Sequence, residues 1–175
     1  SLEPFYVPEE SLNHWRKAKD KGARVHADWT AKLESYRRAH PDHAAELERR
    51  LAGKRPADWA KKIPSFTKEN GSVASRSAFG AVLNATAESL PELVGGSADL
   101  TPSNNTSVKA WKNFSPADFS ARYVHFGIRE HAMASMMNGM ALHRGVVPYA
   151  GTFLIFSDYM RPAVRLAAIM KQHVI

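Results

Sequence analysis

The sequence predicts an α/β fold with a mostly parallel sheet over residues 73–175, preceded by a helical stretch over residues 1–72. Three observations lead there. Before about residue 72, apolar residues recur only at helical spacing, in thin stripes among charges. Beyond it, helical patterns alternate with short β-branched and aromatic runs. Most changes of pattern are marked by Gly, Pro or a polar loop. Helix and strand in alternation imply strands joined by crossovers and therefore lying parallel.

The first third predicts three helices: from about Glu9 to Lys21, ended by Gly22; from about Arg24 to His40, stopped by Pro41; and from about Asp42 to Leu51, closed by Gly53. In the second, Val25, Trp29, Leu33 and Tyr36 fall at spacings of four, four and three, one helix face with charges elsewhere. Stripes so thin suit helices lying across a larger body as a connector. "SFTKENGS" (Ser65 to Ser72) reads as a polar loop. "SRSAFGAVLNATAESL" then predicts a helix with Phe79, Val82, Leu83 and Leu90 on one face, and "PELVGGSADL" a short apolar strand running into a glycine turn. "ARYVHFGI" alternates and is rich in strand-formers. "EHAMASMMNGMALHRG" sets Met133, Met136, Met137, Met140 and Ala141 at helical spacing and ends at Gly145. "GVVPYAGTF" is the next strand, and "FLIFSDYMRPAVRLAAIMKQ" a final helix disturbed by Pro162.

Composition narrows the classes of function. With 175 residues and 44% hydrophobic, the chain can build one sizeable core with an appendage. Its charge of +7 is spread evenly: 15 basic and 11 acidic groups lie before residue 73, 9 and 6 after it. Such a charge can attract nucleic acid, an anionic membrane face or phosphorylated small molecules, and its sign alone does not choose among them; that basic residues are interspersed with acids argues against a nucleic-acid partner. No cysteine is present, so disulfides and thiolate metal sites are excluded and a reducing compartment fits. No stretch nears the roughly 20 apolar residues that span a bilayer, and "SLEPFYVPEE" lacks a basic end followed by an apolar run. No membrane partner and a cytoplasmic location are therefore expected. The histidines show no metal spacing.

An α/β sheet binds ligands beyond the carboxyl ends of its strands. That directs attention to "GGSADLTPSNNT", "GIREH" and "YAGTF". Glu130 follows a strand and opens a helix. A carboxylate is favoured there by the helix dipole alone, but a partly buried one at the sheet edge can also accept a proton or pair with a ligand N–H. Ala132, Ala134, Gly139 and the methionines supply no charge partner on its face, so a carboxylate pointing that way needs a ligand or a basic neighbour. Phe153, Phe156 and Tyr159 follow at intervals of three and, if helical, share one side, either as core or as a wall for a flat heterocycle. Turn chemistry accounts for the Gly, Asp, Ser and Asn of "GGSADLTPSNNT". In a functional site, Ser103 can bind a phosphate, Asp99 can face a cation, and Arg76 is a second phosphate ligand or a surface charge.

The order of these motifs carries more than any one of them. "GGSADLTPSNNT" followed by "YVHFGIREHAMASMMNGMALHRGVVPYAGTFLIFSDYMRPAVRLAAIMKQ" resembles transketolase, the thiamine diphosphate enzymes of the pentose phosphate pathway that move two-carbon ketol units between sugar phosphates. "PFYVPEESLNHW" and "HPDHAAELERRLAGKRP" resemble the family's interdomain segment. The resemblance implies a partial pyrimidine-binding-domain fold over residues 73–175 behind a helical interdomain connector over residues 1–72. It also implies a role for each candidate residue. Glu130 matches the glutamate that hydrogen-bonds a ring nitrogen of the cofactor's aminopyrimidine, whose exocyclic nitrogen then takes a proton from the thiazolium carbon, the cofactor serving as electron sink. Phe153, Phe156 and Tyr159 match the aromatic wall of the aminopyrimidine pocket. Asp99 and Leu100 match positions near the thiazolium and in the bend of the cofactor. Arg76 and Ser103 match ligands of the substrate phosphate.

A homodimer is implied, because in the family this half-site faces the diphosphate-binding domain of the other subunit. The family's Gly-Asp-Gly motif for diphosphate and Mg2+ or Ca2+ is absent, so the metal ligands are expected outside this chain. The chain is accordingly expected to be a fragment, inactive alone, with an apolar strand edge near "KQHVI" that promotes self-association. Dihydroxyacetone synthase and deoxyxylulose-phosphate synthase are the alternatives among enzymes of this cofactor. A dimerisation fragment and a basic RNA-binding module are the alternatives outside catalysis.

Overall fold

The computed structural model describes residues 3–175. By internal contacts the chain divides into two compact units, Ser1–Glu48 and Arg49–Ile175.

The first unit is dominated by α1 (Glu9–Ala39), a single helix of 31 residues with no buried residue. The break expected at Gly22 does not occur. A glycine inside an exposed helix costs about 1 kcal/mol against alanine, and helix on both sides carries it through. The second helix, α2 (Pro41–Leu51), starts at the proline expected only to stop its predecessor. At the first position of a helix Pro loses no hydrogen bond, because that N–H has no partner within the helix. Arg37 ion-pairs with both Glu34 and Glu48, clasping the end of α1 to α2.

The second unit holds the sheet. Its elements run α3 (Ser75–Thr86), β1 (Leu93–Ser97), α4 (Thr101–Asn104), β2 (Tyr123–His125), α5 (Glu130–His143), β3 (Val147–Gly151) and α6 (Ser157–Ile169). Short 3-10 turns lie at Lys68–Asn70, within the expected polar loop, and at Leu154–Phe156. The strands are parallel in the order β2-β1-β3, with Gly95 opposite both Tyr123 and Tyr149. The chain therefore leaves β1 to one side, returns through α5, and enters on the other. That reversal opens a crevice at the carboxyl ends of the strands, where α/β sheets place ligands. Ile175 hydrogen-bonds alongside β3 through the Pro148 carbonyl and the Ala150 amide.

Two corrections concern glycine and proline. Gly95 and Gly96, expected in a turn, lie inside β1. A β-carbon on Gly95 would fall 1.9 Å from the Tyr149 carbonyl oxygen, and one on Gly96 1.8 Å from that of Val124, so the flanking strands need both glycines. Pro162 lies within α6 without ending it.

One cluster of buried residues, Leu83, Ala87, Leu90, Leu93, Val108 and Tyr149, packs α3 against the sheet. A second, Ala98, Phe126 and Met133, lies under the carboxyl ends of the strands. On α5, Met133, Ala134, Met137 and Asn138 are buried, Met140 is half-buried and Met136 is exposed, so the methionine stripe is only partly covered. Buried Asn138 donates to the Ala163 carbonyl at 2.8 Å, tying α5 to α6.

Candidate functional site

The site is assembled on a hydrogen-bonded floor that links all three strands. Ser97, fully buried at the end of β1, donates to the Gly151 carbonyl at 2.9 Å. It accepts from the Leu100 amide at 3.1 Å and from Asn104 Nδ2 at 2.9 Å. Thr106 donates to Asn104 Oδ1 at 2.8 Å, so its oxygen can only accept from the Tyr123 hydroxyl 3.1 Å away. Tyr123 in turn accepts from Thr101 at 2.5 Å. The result is one directed chain from Thr101 through Tyr123, Thr106, Asn104 and Ser97 to Gly151. Tyr149 adds a bond of 2.8 Å to the Thr106 carbonyl, and burial pushes its hydroxyl well above the ordinary phenol range, keeping it a neutral donor. Ser97, Asn104 and Thr106 are buried, and none of their buried side-chain polar atoms lacks a partner, an arrangement that rigidifies a loop.

On this floor the turn after β1 is aimed. Asp99 is exposed with φ +61°, the left-handed region that Asp tolerates better than most residues. Half-buried Leu100 precedes α4. Ser103 is half-buried on α4. Arg76 on α3 is exposed, with Nη1 3.5 Å from the Ser103 carbonyl.

Glu130 opens α5 and is buried, with 7% of its surface exposed. Thr152, the residue after β3, donates its hydroxyl to Oε1 at 3.1 Å. Oε2 has no hydrogen-bond partner among the described residues. The missing partner expected for this carboxylate is therefore met by a hydroxyl at one oxygen only. The surroundings inferred for it need revision: Ala134 is buried, while Ala132 and Gly139 face outward.

Beyond Thr152, Phe153, Phe156 and Tyr159 form a continuous row, with ring centroids 6.0 Å apart at both steps and the first pair stacked. Phe153 is 39% exposed and Tyr159 67%. Phe156 between them is half-buried, so the row lies at the surface of the described residues and is not core.

A cleft of about 630 Å³ gathers Arg76, Ser103, Asn104, Thr152 and Phe153 among its lining residues. Three expected site residues, Arg76, Ser103 and Phe153, meet there. Glu130 reaches its edge through Thr152. Asp99, Leu100, Phe156 and Tyr159 do not line it. Sequence reasoning missed Thr152, Asn104 and Thr106. Their signal is a hydroxyl directly after a strand at the ligand-binding edge, and a run of hydroxyls and amides for which turn chemistry is a sufficient explanation in the sequence. Among the described residues no group of three or more His, Asp or Glu could hold a metal ion, and no helix is long and apolar enough to cross a membrane.

Comparison with known proteins gives the family. Residues 71–175 match the family "Transketolase, pyrimidine binding domain", and residues 1–56 match "Transketolase, thiamine diphosphate binding domain". The transketolase of Geobacillus stearothermophilus is 48% identical over 169 residues, 96% of this chain and 25% of that protein. Transketolase-1, chloroplastic, of Arabidopsis thaliana is 42% identical over 174 residues, 99% of this chain and 24% of that protein. The crystal structure of Pichia stipitis transketolase in complex with sedoheptulose-7-phosphate superposes with a TM-score of 0.86 at 39% identity, over 98% of this chain and 26% of that one. The chain spans about a quarter of the length of the relatives it matches.

Proposed function

The chain belongs to the transketolase family, and from that premise we propose that it carries the aminopyrimidine half of a thiamine diphosphate site. In the whole enzyme this site would transfer a two-carbon ketol unit from a ketose phosphate to an aldose phosphate in the pentose phosphate pathway. The observation that carries the proposal is Glu130: a buried carboxylate at the carboxyl edge of a parallel sheet, with one oxygen held and the other without a hydrogen-bond partner among the described residues, before a row of three aromatic rings, two of them exposed.

These features fit an aminopyrimidine ring. Such a ring offers a nitrogen edge for Oε2 and two flat faces for Phe153, Phe156 and Tyr159, and the low polarity around a buried carboxylate strengthens that hydrogen bond. When bound, thiamine diphosphate supplies the carbanion chemistry of ketol transfer. The residues of the chain do the rest. With the cofactor bound, Glu130 would hold a proton between its Oε2 and the ring edge, the aromatic row would support the ring and displace water, and the carboxylate of Asp99, beside Leu100, would offset positive charge on it.

Arg76 and Ser103 then receive the phosphate of the sugar at the mouth of the cleft, the guanidinium with its two parallel N–H groups and the serine with its hydroxyl. The sedoheptulose-7-phosphate complex of the Pichia stipitis relative supports a sugar phosphate as substrate. Residues 1–72 serve as connector and 73–175 as the first part of the pyrimidine-binding domain. Ligands of the diphosphate and its Mg2+ or Ca2+ are assigned to the remainder of the enzyme, and a homodimer to its assembly. A cytoplasmic site of action belongs to the same proposal.

The test is Glu130→Gln in the full-length enzyme, with thiamine diphosphate affinity of the apoenzyme and ketol transfer both measured. Loss of a positioned proton-transfer group lowers turnover by about 10²- to 10⁴-fold. Turnover and affinity within threefold of wild type would overturn the proposal.

A further inference from the structure

We propose that Thr152 is a positioning residue that sets the rotamer of the Glu130 carboxylate; the inference rests on Glu130 acting as the aminopyrimidine partner. A glutamate side chain has three rotatable bonds, and at the first position of α5 the helix fixes the Glu130 backbone but not the torsions of its carboxylate. The Thr152 hydroxyl, 3.1 Å from Oε1, is the one group among the described residues that fixes its orientation. With Oε1 taken, rotation of the carboxylate is blocked and Oε2 remains for the ligand.

The position of Thr152 is itself determined. Its neighbour Gly151 is held by Ser97 through the backbone carbonyl at 2.9 Å. A β-carbon at Gly151 would fall 2.3 Å from Thr106 Cγ2, so backbone and floor are in direct contact. On the other side, Phe153 begins the aromatic row. One segment therefore orients both the carboxylate and the ring wall, and the geometry of one follows that of the other. Outer hydrogen bonds of this kind tune a reacting group without touching the ligand.

The experiment uses the full-length enzyme with Thr152→Val, which keeps the shape and removes the donor, and Thr152→Ser, which keeps the donor. Each is made alone and in a Glu130→Gln background. Thiamine diphosphate affinity of the apoenzyme is read from quenching of intrinsic fluorescence, alongside kcat and the KM for sugar phosphate. Thr152→Val should weaken cofactor affinity and lower kcat about tenfold each, the size expected for a lost hydrogen bond to a charged group, with KM for the sugar unchanged. Thr152→Ser should return both to within about twofold, and in the Glu130→Gln background Thr152→Val should add nothing.

Three results would each overturn the inference: a silent Thr152→Val, an equal loss in Thr152→Ser, or an undiminished loss in the Glu130→Gln background. If Thr152→Val lowers the melting temperature, Thr152→Ala serves in its place under the same criteria. A silent Glu130→Gln would instead sink the proposed function. A damaging Glu130→Gln with a silent Thr152→Val would sink only the positioning role.

Discussion

Glu92 begins the segment from which β1 starts and is 3% exposed, yet it carries a carboxylate into the fold. Arg49 meets it with two parallel bonds, Nη1 to Oε1 at 2.9 Å and Nη2 to Oε2 at 3.0 Å, and is 19% exposed. The Glu92 carbonyl also accepts from the Val147 amide at 2.8 Å, so the pair sits where β1 and β3 are brought into register. Breaking a buried ion pair by removing one partner costs about 3–5 kcal/mol. Glu92→Leu belongs at the lower end, about 3 kcal/mol, because Arg49 keeps a fifth of its side chain in water. Arg49→Leu should cost more, since it strands the deeper charge and also removes a bond to the Lys54 carbonyl. The double Leu variant strands neither member of the pair and should retain a smaller deficit, about 1 kcal/mol, the size of one lost hydrogen bond. Hydrogen exchange of peptides covering Leu93–Ser97 and Val147–Gly151 in the full-length enzyme reads the local opening directly. At 1.4 kcal/mol per decade, Glu92→Leu should exchange about a hundredfold faster and the double variant within about tenfold of wild type. Single variants within threefold of wild type, or a double variant as fast as the two singles multiplied, would refute the argument.

Two further outcomes follow from the floor of the site. Tyr149→Phe removes one buried donor and strands the Thr106 carbonyl, so it should destabilise by about 1–3 kcal/mol and speed exchange of the peptide spanning Asn104 to Val108; unchanged exchange there would show the bond to be idle. Gly151→Ala places a methyl group 2.3 Å from Thr106 Cγ2 and 3.2 Å from Asn104 Nδ2. It should destabilise by about 1–3 kcal/mol and weaken thiamine diphosphate binding through Thr152, both checked by a melting curve and an affinity titration of the apoenzyme.

Periodicity located α3, α5 and α6 and the short strands between them, because each of these helices buries one stripe, but it did not locate α4, which lies in a stretch read as a loop. It failed where one residue type serves two structures. Gly22 and Gly95 are alike in sequence, yet one is carried through a long helix and the other lets two strands approach. A turn, a helix interior and a close strand contact all accept glycine, and only the neighbour that a β-carbon would meet separates them. Pro41 is similar, since its missing N–H ends one helix and suits the first turn of the next. For the aromatic row, the spacing of three foretold a shared side correctly. Whether that side is covered depends on what lies opposite, which spacing does not encode.

Within the site the same distinction holds at the level of chemistry. Glu130 was legible because an ionisable group at the edge of an apolar run is an anomaly by itself. Thr152, Asn104 and Thr106 were not, because each is ordinary where it stands. Their significance lies in partners far along the chain: Thr152 with Glu130 across 22 residues, and Ser97 with Gly151 across 54. A directed chain of hydroxyls and amides has no local signature, since every link exchanges one unremarkable polar residue for another. It does constrain the order in which the links must occur, because Ser97 has to leave β1, Tyr123 has to lie on β2, and Gly151 and Thr152 have to end β3 for the bonds to close. This explains why the succession of weak motifs identified the family when no single motif could. The sheet fixes the order of its own strand ends, and the site is built from what each strand end carries.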